Sequence, residues 1–190
     1  MNNRSESFRI VVLSGPISAG KSRLAENLHT RYQAQIIKTR DLIRQQRPKV
    51  KEERGALQRA GEALDRADGG AWVKDALVRF IETMQGGTIP SGFFVVYSAR
   101  IPGQIAAIRE AFGTAVHHIH LHAPDTVLEE RYAKRGIRTH EFPEYAQVRR
   151  SRTEKQVGAL AELADIVVAT ERCTPEAVLV RATALLCRWL

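Results

Sequence analysis

Cysteine is scarce in this chain. Only Cys173 and Cys187 occur among 190 residues, and their spacing matches no metal-binding or redox pattern. Two reduced, partly buried thiols in a reducing compartment are the expectation. Long apolar runs are also missing. No stretch approaches the roughly 18 residues a membrane helix needs, so no membrane partner is expected. The opening residues Met1–Ser7 are polar and carry both charge signs. The apolar segment after them is short and runs into a glycine loop, which reads as a first strand and not as a secretory leader. A cytoplasmic protein is therefore expected. There is no low-complexity tract, internal repeat or linker, and the length suits one domain with a substantial core.

What the chain does have is positive charge, formally +8. A basic protein can bind nucleic acid or small polyanions such as nucleotides. Seven of the basic residues lie between Arg131 and Arg152 (131, 134, 135, 138, 149, 150 and 152), against two acids, Glu141 and Glu144. A patch this local suggests a phosphate site more than a nucleic-acid track.

Apolar runs and helical spacings alternate along the chain. Phe8–Ser14, Ala34–Lys38, Phe93–Tyr97, Ala115–His122 and Asp165–Ala169 read as strands, mostly as continuous apolar runs of the buried parallel kind. Helices are predicted over Lys21–Tyr32, Asp41–Gln46, Lys51–Asp68, Ala71–Met84 and from Ile101 to Phe112. Others run from Pro124 to Arg135, over Glu144–Leu163 as one long charged helix, and from a Thr174 cap with Pro175 in the first turn. The alternation predicts a three-layer α/β fold, a five-stranded parallel sheet covered by helices on both faces, with ligands at the carboxyl ends of the strands. Two charged helical insertions exceed a minimal sheet. The expected division is a core of 8–38, 93–134 and 164–190, an acceptor-side insertion at about 39–87 and a lid at about 135–152.

The glycine loop carries the chemistry. Gly15-Pro16-Ile17-Ser18-Ala19-Gly20-Lys21-Ser22 matches G-x-x-x-x-G-K-[ST] between a predicted strand and a predicted helix, the context that makes the motif credible. Its backbone N–H groups and the helix N-terminus would face the phosphates of ATP. Lys21 would reach the β- and γ-phosphates, and the Ser22 hydroxyl would be a ligand of Mg²⁺.

The loop together with later segments resembles the nucleoside monophosphate kinase group, including deoxynucleotide and dephospho-coenzyme A kinases, over nearly the whole chain. Thr39-Arg40-Asp41-Leu42-Ile43-Arg44 is similar to the T-G-D-L-L-R stretch of adenylate-type kinases. The resemblance implies that Arg44, and with it Arg54 and Arg100, grips an acceptor phosphate, a task suited to forked guanidinium groups. Arg100 matches the arginine of an Asp-Gly-x-Arg turn after the third strand. At the acidic position of that turn this chain has Tyr97, and Ser98 replaces its glycine. The loss of a carboxylate weakens a metal site, and Asp41 is the acid that can stand in for it. Arg131, Arg135 and Arg138 share one helical face and match lid arginines that close over a triphosphate. Thr170 follows the last strand, where relatives cradle the donor base.

The implied activity is transfer of the γ-phosphoryl of ATP to a (deoxy)nucleoside monophosphate or similar acceptor. Two other readings stand beside it: a degenerate nucleotide-binding module without turnover, motivated by Tyr97, and a kinase of nucleic-acid ends, motivated by net charge. Nucleotides are the expected partners, and the sequence leaves monomer or homodimer open. His118, His120 and His122 fall on one strand face and are read as packing residues.

Overall fold

The computed structural model describes residues 8–85, 92–134 and 144–184. Strands β1 (Arg9–Ser14), β2 (Gln35–Lys38), β3 (Phe93–Tyr97), β4 (Val116–His122) and β5 (Ile166–Ala169) form one sheet in the order β2-β3-β1-β4-β5. Every pairing is parallel. β1 sits centrally, with Val12 opposite Val96 on one side and His118 on the other.

The apolar run of β1 follows from burial on two faces. Val11 and Leu13 enter one core with Leu24 and Leu28 of α1 (Lys21–Tyr32), while Ile10 and Val12 enter the other. The second core is built from α2 (Thr39–Gln46), α3 (Arg54–Asp68), α4 (Trp72–Gln85) and α5 (Pro102–Phe112). All four β1 side chains are fully buried. The first core is closed by α6 (Asp125–Lys134), α7 (Tyr145–Arg149) and α9 (Pro175–Thr183). The Thr174 hydroxyl accepts the Ala177 N–H at 3.2 Å, capping α9 with Pro175 at its start. Among the described residues no helix is long and apolar enough to cross a membrane.

One expected element is broken. In place of a continuous helix over Glu144–Leu163, the chain forms α7, then α8 (Arg152–Val157), then a 3₁₀ segment, Gly158–Leu163. Ser151 supplies the reason. Its backbone is extended, with φ −62° and ψ 143°, and its hydroxyl accepts the Glu154 N–H at 3.3 Å. An N-cap serine starts a new helix more favourably than it continues an old one. The break redirects α8 toward the glycine loop.

The helical insertion is docked by a glycine pair. Gly69 (φ 70°) ends α3, and Gly103 at the start of α5 packs directly against the Gly69 carbonyl. A methyl group there has no room. We expect Gly103→Ala to destabilise the protein by about 2–3 kcal/mol through forced overpacking. Gly158→Ala, where an added Cβ meets nothing within 4 Å, should change stability by less than about 0.5 kcal/mol. Urea unfolding of the two variants checks the contrast.

Candidate active site

The glycine loop leaves β1 at Ser14 and turns at Gly15, whose φ is 131°. A side chain at Gly15 would collide with the Leu121 carbonyl of β4, so only glycine lets the loop fold this close to the sheet. Ser18 (φ 64°) and Gly20 (φ 99°) also adopt left-handed backbone, an arrangement that turns successive amides toward one concave side. Gly20 caps α1 without any side-chain hydrogen bond. The positive end of the helix thus remains available to an anion. The Ser18 hydroxyl is shielded from solvent and meets no hydrogen-bond partner. Lys21 Nζ donates to the carbonyls of Gly15 and Pro16 at 2.6 and 2.7 Å, which holds the ammonium at the mouth of the loop. An orphaned hydroxyl, an uncapped helix start and a lysine fit the oxygens of a polyphosphate.

Ser22 Oγ lies 2.8 Å from the Tyr97 hydroxyl. These two neutral oxygens fit a Mg²⁺ ion that arrives with the phosphates and takes few protein ligands. They do not make a carboxylate cage, and no group of three or more His, Cys, Asp or Glu placed to hold a metal occurs among the described residues.

Below the loop lies a polar cluster in the core. Ser14 Oγ is 2.7 Å from His118 Nε2 and 2.8 Å from His120 Nδ1, and all three residues are buried. A hydroxyl that both donates and accepts can serve two imidazoles. Burial pushes His120 down to about 4, helped by the positive charges near it, with His118, Lys21 and His122 in that order. His118 is lowered as well, chiefly by burial. His122, in contrast, is exposed.

The loop opens into a cleft of about 820 Å³ whose wall includes Lys21, Ser22, Arg40, Gln58, Arg100 and Glu154. Arg100 follows β3. Its N–H donates to Gln104 Oε1 at 2.9 Å, and Gln104 Nε2 donates to Asp65 Oδ1 at 2.9 Å. Asp65 also accepts from Trp72 Nε1 at 2.8 Å. Burial raises the Asp65 carboxyl, opposed by these two hydrogen bonds. This network ties α3, α4 and α5 to the turn that carries Arg100. On the opposite side, Arg131 donates to Thr170 Oγ1 and O at 3.0 and 2.7 Å. The Thr170 hydroxyl in turn lies 3.3 Å from the Ala19 carbonyl. Arg131 and Thr170 therefore brace the loop after β5 against the glycine loop.

Of the residues singled out in the sequence, Ile17, Ser18, Gly20, Lys21, Ser22, Arg100 and Arg131 all line this cleft. Gly15, Pro16, Ala19 and Thr170 form the backing of its glycine-loop end. Arg44 and Asp41 line a separate hollow with Gln45, Pro48 and Phe80. Arg44 reaches the cleft only through Glu52, with which it pairs at 2.6 Å. Arg54 begins α3, and its side chain lies outside the described residues, as do Arg135, Arg138 and Cys187. Arg149, read with the lid, pairs with Asp125 at 3.1 Å.

Sequence reasoning missed Glu154. It is the one acidic residue buried among the described residues, 4 % exposed. Its Oε2 accepts the Ile17 N–H at 3.0 Å, and its Oε1 lies 3.6 Å from Arg100 Nη1. The available signal was local. Ser151-Arg152-Thr153-Glu154 is an S-x-x-E capping sequence, and reading it would have broken the long helix at the right place.

A family model described as an AAA domain (AAA_33) matches residues 10–163. The chain belongs to this AAA domain family. No curated protein matches it. Among solved structures, this AAA domain is similar to a sugar kinase from Janibacter sp. HTCC2649, at 17% identity and TM-score 0.62, covering 95% of each chain. It is similar to a gluconokinase from Sinorhizobium meliloti 1021, at 18% identity and TM-score 0.56, covering 98% of this chain and 95% of that one. A shikimate kinase from Bacteroides thetaiotaomicron matches at 14% identity and TM-score 0.54, covering 95% and 99%. At these identities the likeness shows the shared α/β fold alone, and it does not single out the nucleoside monophosphate kinase group the motifs suggest.

The buried histidines give a pH prediction. His120 titrates near 4 when folded and near 6.5 when unfolded. The unfolded chain therefore binds more protons between these values, and stability falls as pH drops from 6.5 toward 4, by up to about 3 kcal/mol for this group. Urea unfolding across this range should show the fall, and His120→Gln should make it shallower, with His118 supplying part of the remainder. The wild-type-minus-variant difference separates the histidine from Asp65, whose raised carboxyl works in the opposite direction.

Proposed function

We propose that this AAA domain is an ATP-dependent phosphotransferase that moves the γ-phosphoryl group to a small anionic or polar acceptor held in the cleft. The observation that carries this reading is the continuity of the 820 Å³ cleft from the Gly15–Ser22 loop to Arg40, Gln58 and Arg100. A donor cradle and a cationic acceptor wall share one space. Phosphoryl transfer depends mainly on such positioning and on charge neutralisation.

In this reading the main-chain amides of the loop and the start of α1 hold the β- and γ-phosphates. Lys21 neutralises their charge, and Arg131 with Thr170 shapes the place of the donor base. Mg²⁺, when bound with ATP, would lower the charge of the phosphate chain, with Ser22 and Tyr97 offering it oxygens. Arg100, fixed through Gln104 and Asp65, orients the acceptor. The segment at about 39–87 forms the acceptor side. A (deoxy)nucleoside monophosphate and a sugar acid both present the anionic group that Arg100 suits, and both belong in the acceptor screen. Within the lid proposed at about 135–152, Arg135 and Arg138 would add charge over the triphosphate. Cytoplasmic placement suits an enzyme that draws on ATP.

A second reading, nucleotide binding without turnover, is favoured by one contact. Tyr97 places a phenol on Ser22, at the position where the resemblance to nucleoside monophosphate kinases implies an acid. Product mass after incubation with ATP, Mg²⁺ and an acceptor panel separates the two: a phosphorylated acceptor supports transfer, and ATP binding with no product supports the second reading.

We expect Lys21→Ala to lower kcat by about a thousandfold or more, since it removes the cation that neutralises the transferring group. Arg100→Ala should raise acceptor KM by about tenfold while leaving ATP affinity within threefold, a loss of roughly 1.4 kcal/mol of acceptor binding. Arg44→Ala should also raise acceptor KM. Steady-state kinetics checks both, and unchanged acceptor KM in both arginine variants would refute the acceptor assignment.

A further inference from the structure

Glu154 is placed in a way that its helix alone does not explain. As the fourth residue of an S-x-x-E sequence it would ordinarily reach back to the backbone N–H of Ser151. That N–H is instead bonded to the Val148 carbonyl at 3.0 Å. The Glu154 side chain turns away and crosses to the glycine loop, 137 positions distant in sequence, where it accepts the Ile17 N–H. Carboxylates are rarely buried without a paired charge or a task. Two other acids line the cleft, and both are largely exposed and paired with surface arginines. Glu26 pairs with Arg23, and Glu52 with Arg44. Glu154 alone is buried, ionically paired to Arg100 and anchored on the loop that cradles the donor.

We propose that Glu154 is the general base of the transfer and that the acceptor atom is consequently a hydroxyl oxygen. The inference rests on the phosphotransferase reading above. A phosphate acceptor attacks with an oxygen that is already anionic and gives a base nothing to do. A hydroxyl must lose its proton as it attacks, and a positioned carboxylate takes it. The acceptor oxygen forms a bond to the γ-phosphorus of ATP, and the bond from that phosphorus to the β,γ-bridging oxygen breaks. ADP leaves with the electron pair, and the hydroxyl proton passes to a Glu154 carboxylate oxygen and then to water. The products are a phosphate monoester, ADP and one proton. Arg100 holds the carboxylate toward the acceptor wall, and the Ile17 N–H fixes its distance from the phosphates.

The test uses the full-length protein with ATP and Mg²⁺ and two acceptor panels, one of sugar acids and polyols, one of nucleoside monophosphates. The wild type should phosphorylate a hydroxyl compound, with kcat/KM falling at low pH along a single acid limb. Glu154→Gln keeps an oxygen for the Ile17 N–H. It should lower kcat by about 10²–10⁴-fold, abolish the acid limb and leave ATP affinity within threefold. Glu154→Asp should restore part of the rate, and if Glu154→Gln does not fold, the acid limb of the wild type and the Glu154→Asp kinetics decide. Transfer only to monophosphates, or kcat within threefold of wild type in Glu154→Gln, overturns the inference and leaves the kinase reading standing. Loss of the acid limb in Asp41→Asn in place of Glu154→Gln likewise overturns it. ATP binding with transfer to neither panel overturns both.

Discussion

The close approach of the Gly15 backbone to the Leu121 carbonyl is the constraint on which the site depends. It fixes the loop at the carboxyl ends of β1 and β4, where parallel α/β sheets gather their ligands. β1 is central in the sheet and buried on both faces, so the loop inherits the rigidity of the core. The Ser14–His118–His120 cluster lies directly beneath and joins the same two strands by side-chain hydrogen bonds. A buried floor of imidazoles costs some stability at acid pH and gives in exchange a fixed support for the glycine loop.

From that support, two braces organise the cleft. One runs from Trp72 and Asp65 through Gln104 to the backbone of Arg100. The other runs from Arg131 through Thr170 to Ala19. Each links an element outside the glycine loop to the wall or the backing of the cleft, one at Arg100 and the other at Ala19, through buried or half-buried hydrogen bonds, which a low-dielectric setting strengthens. Glu154 joins the two sides, touching the loop at Ile17 and the facing wall of the cleft at Arg100. Positive and negative groups are thereby set at fixed positions before any ligand arrives, which is the arrangement electrostatic catalysis requires.

Much of this was legible in the residues. Continuous apolar runs such as Phe93–Tyr97 marked buried parallel strands because both sheet faces are covered. The glycine loop was readable because its φ angles demand particular residues at particular places. The cap at Thr174 was readable because its partner lies three residues away. What escaped depended on contacts distant in sequence. Glu154 sits at the start of a short helix, and nothing local reveals that its carboxylate crosses to Ile17. The histidines of β4 were read as packing residues. Their periodicity placed His118 and His120 on one face, but their shared bond to Ser14 needed the register between β1 and β4. The arginines 44 and 100 look equivalent in sequence, and the fold places them in separate hollows because α2 carries one and the turn after β3 carries the other.

The central claim is that the main-chain amides around residues 18–22 bind a polyphosphate. Amide chemical shifts of ¹⁵N-labelled protein, titrated with Mg²⁺-ATP and separately with adenosine, test it most directly. The account predicts large, saturable shifts at Ser18 through Ser22 with ATP and little change there with adenosine. Shifts confined to other parts of the chain, or equal responses to the two ligands, would contradict it.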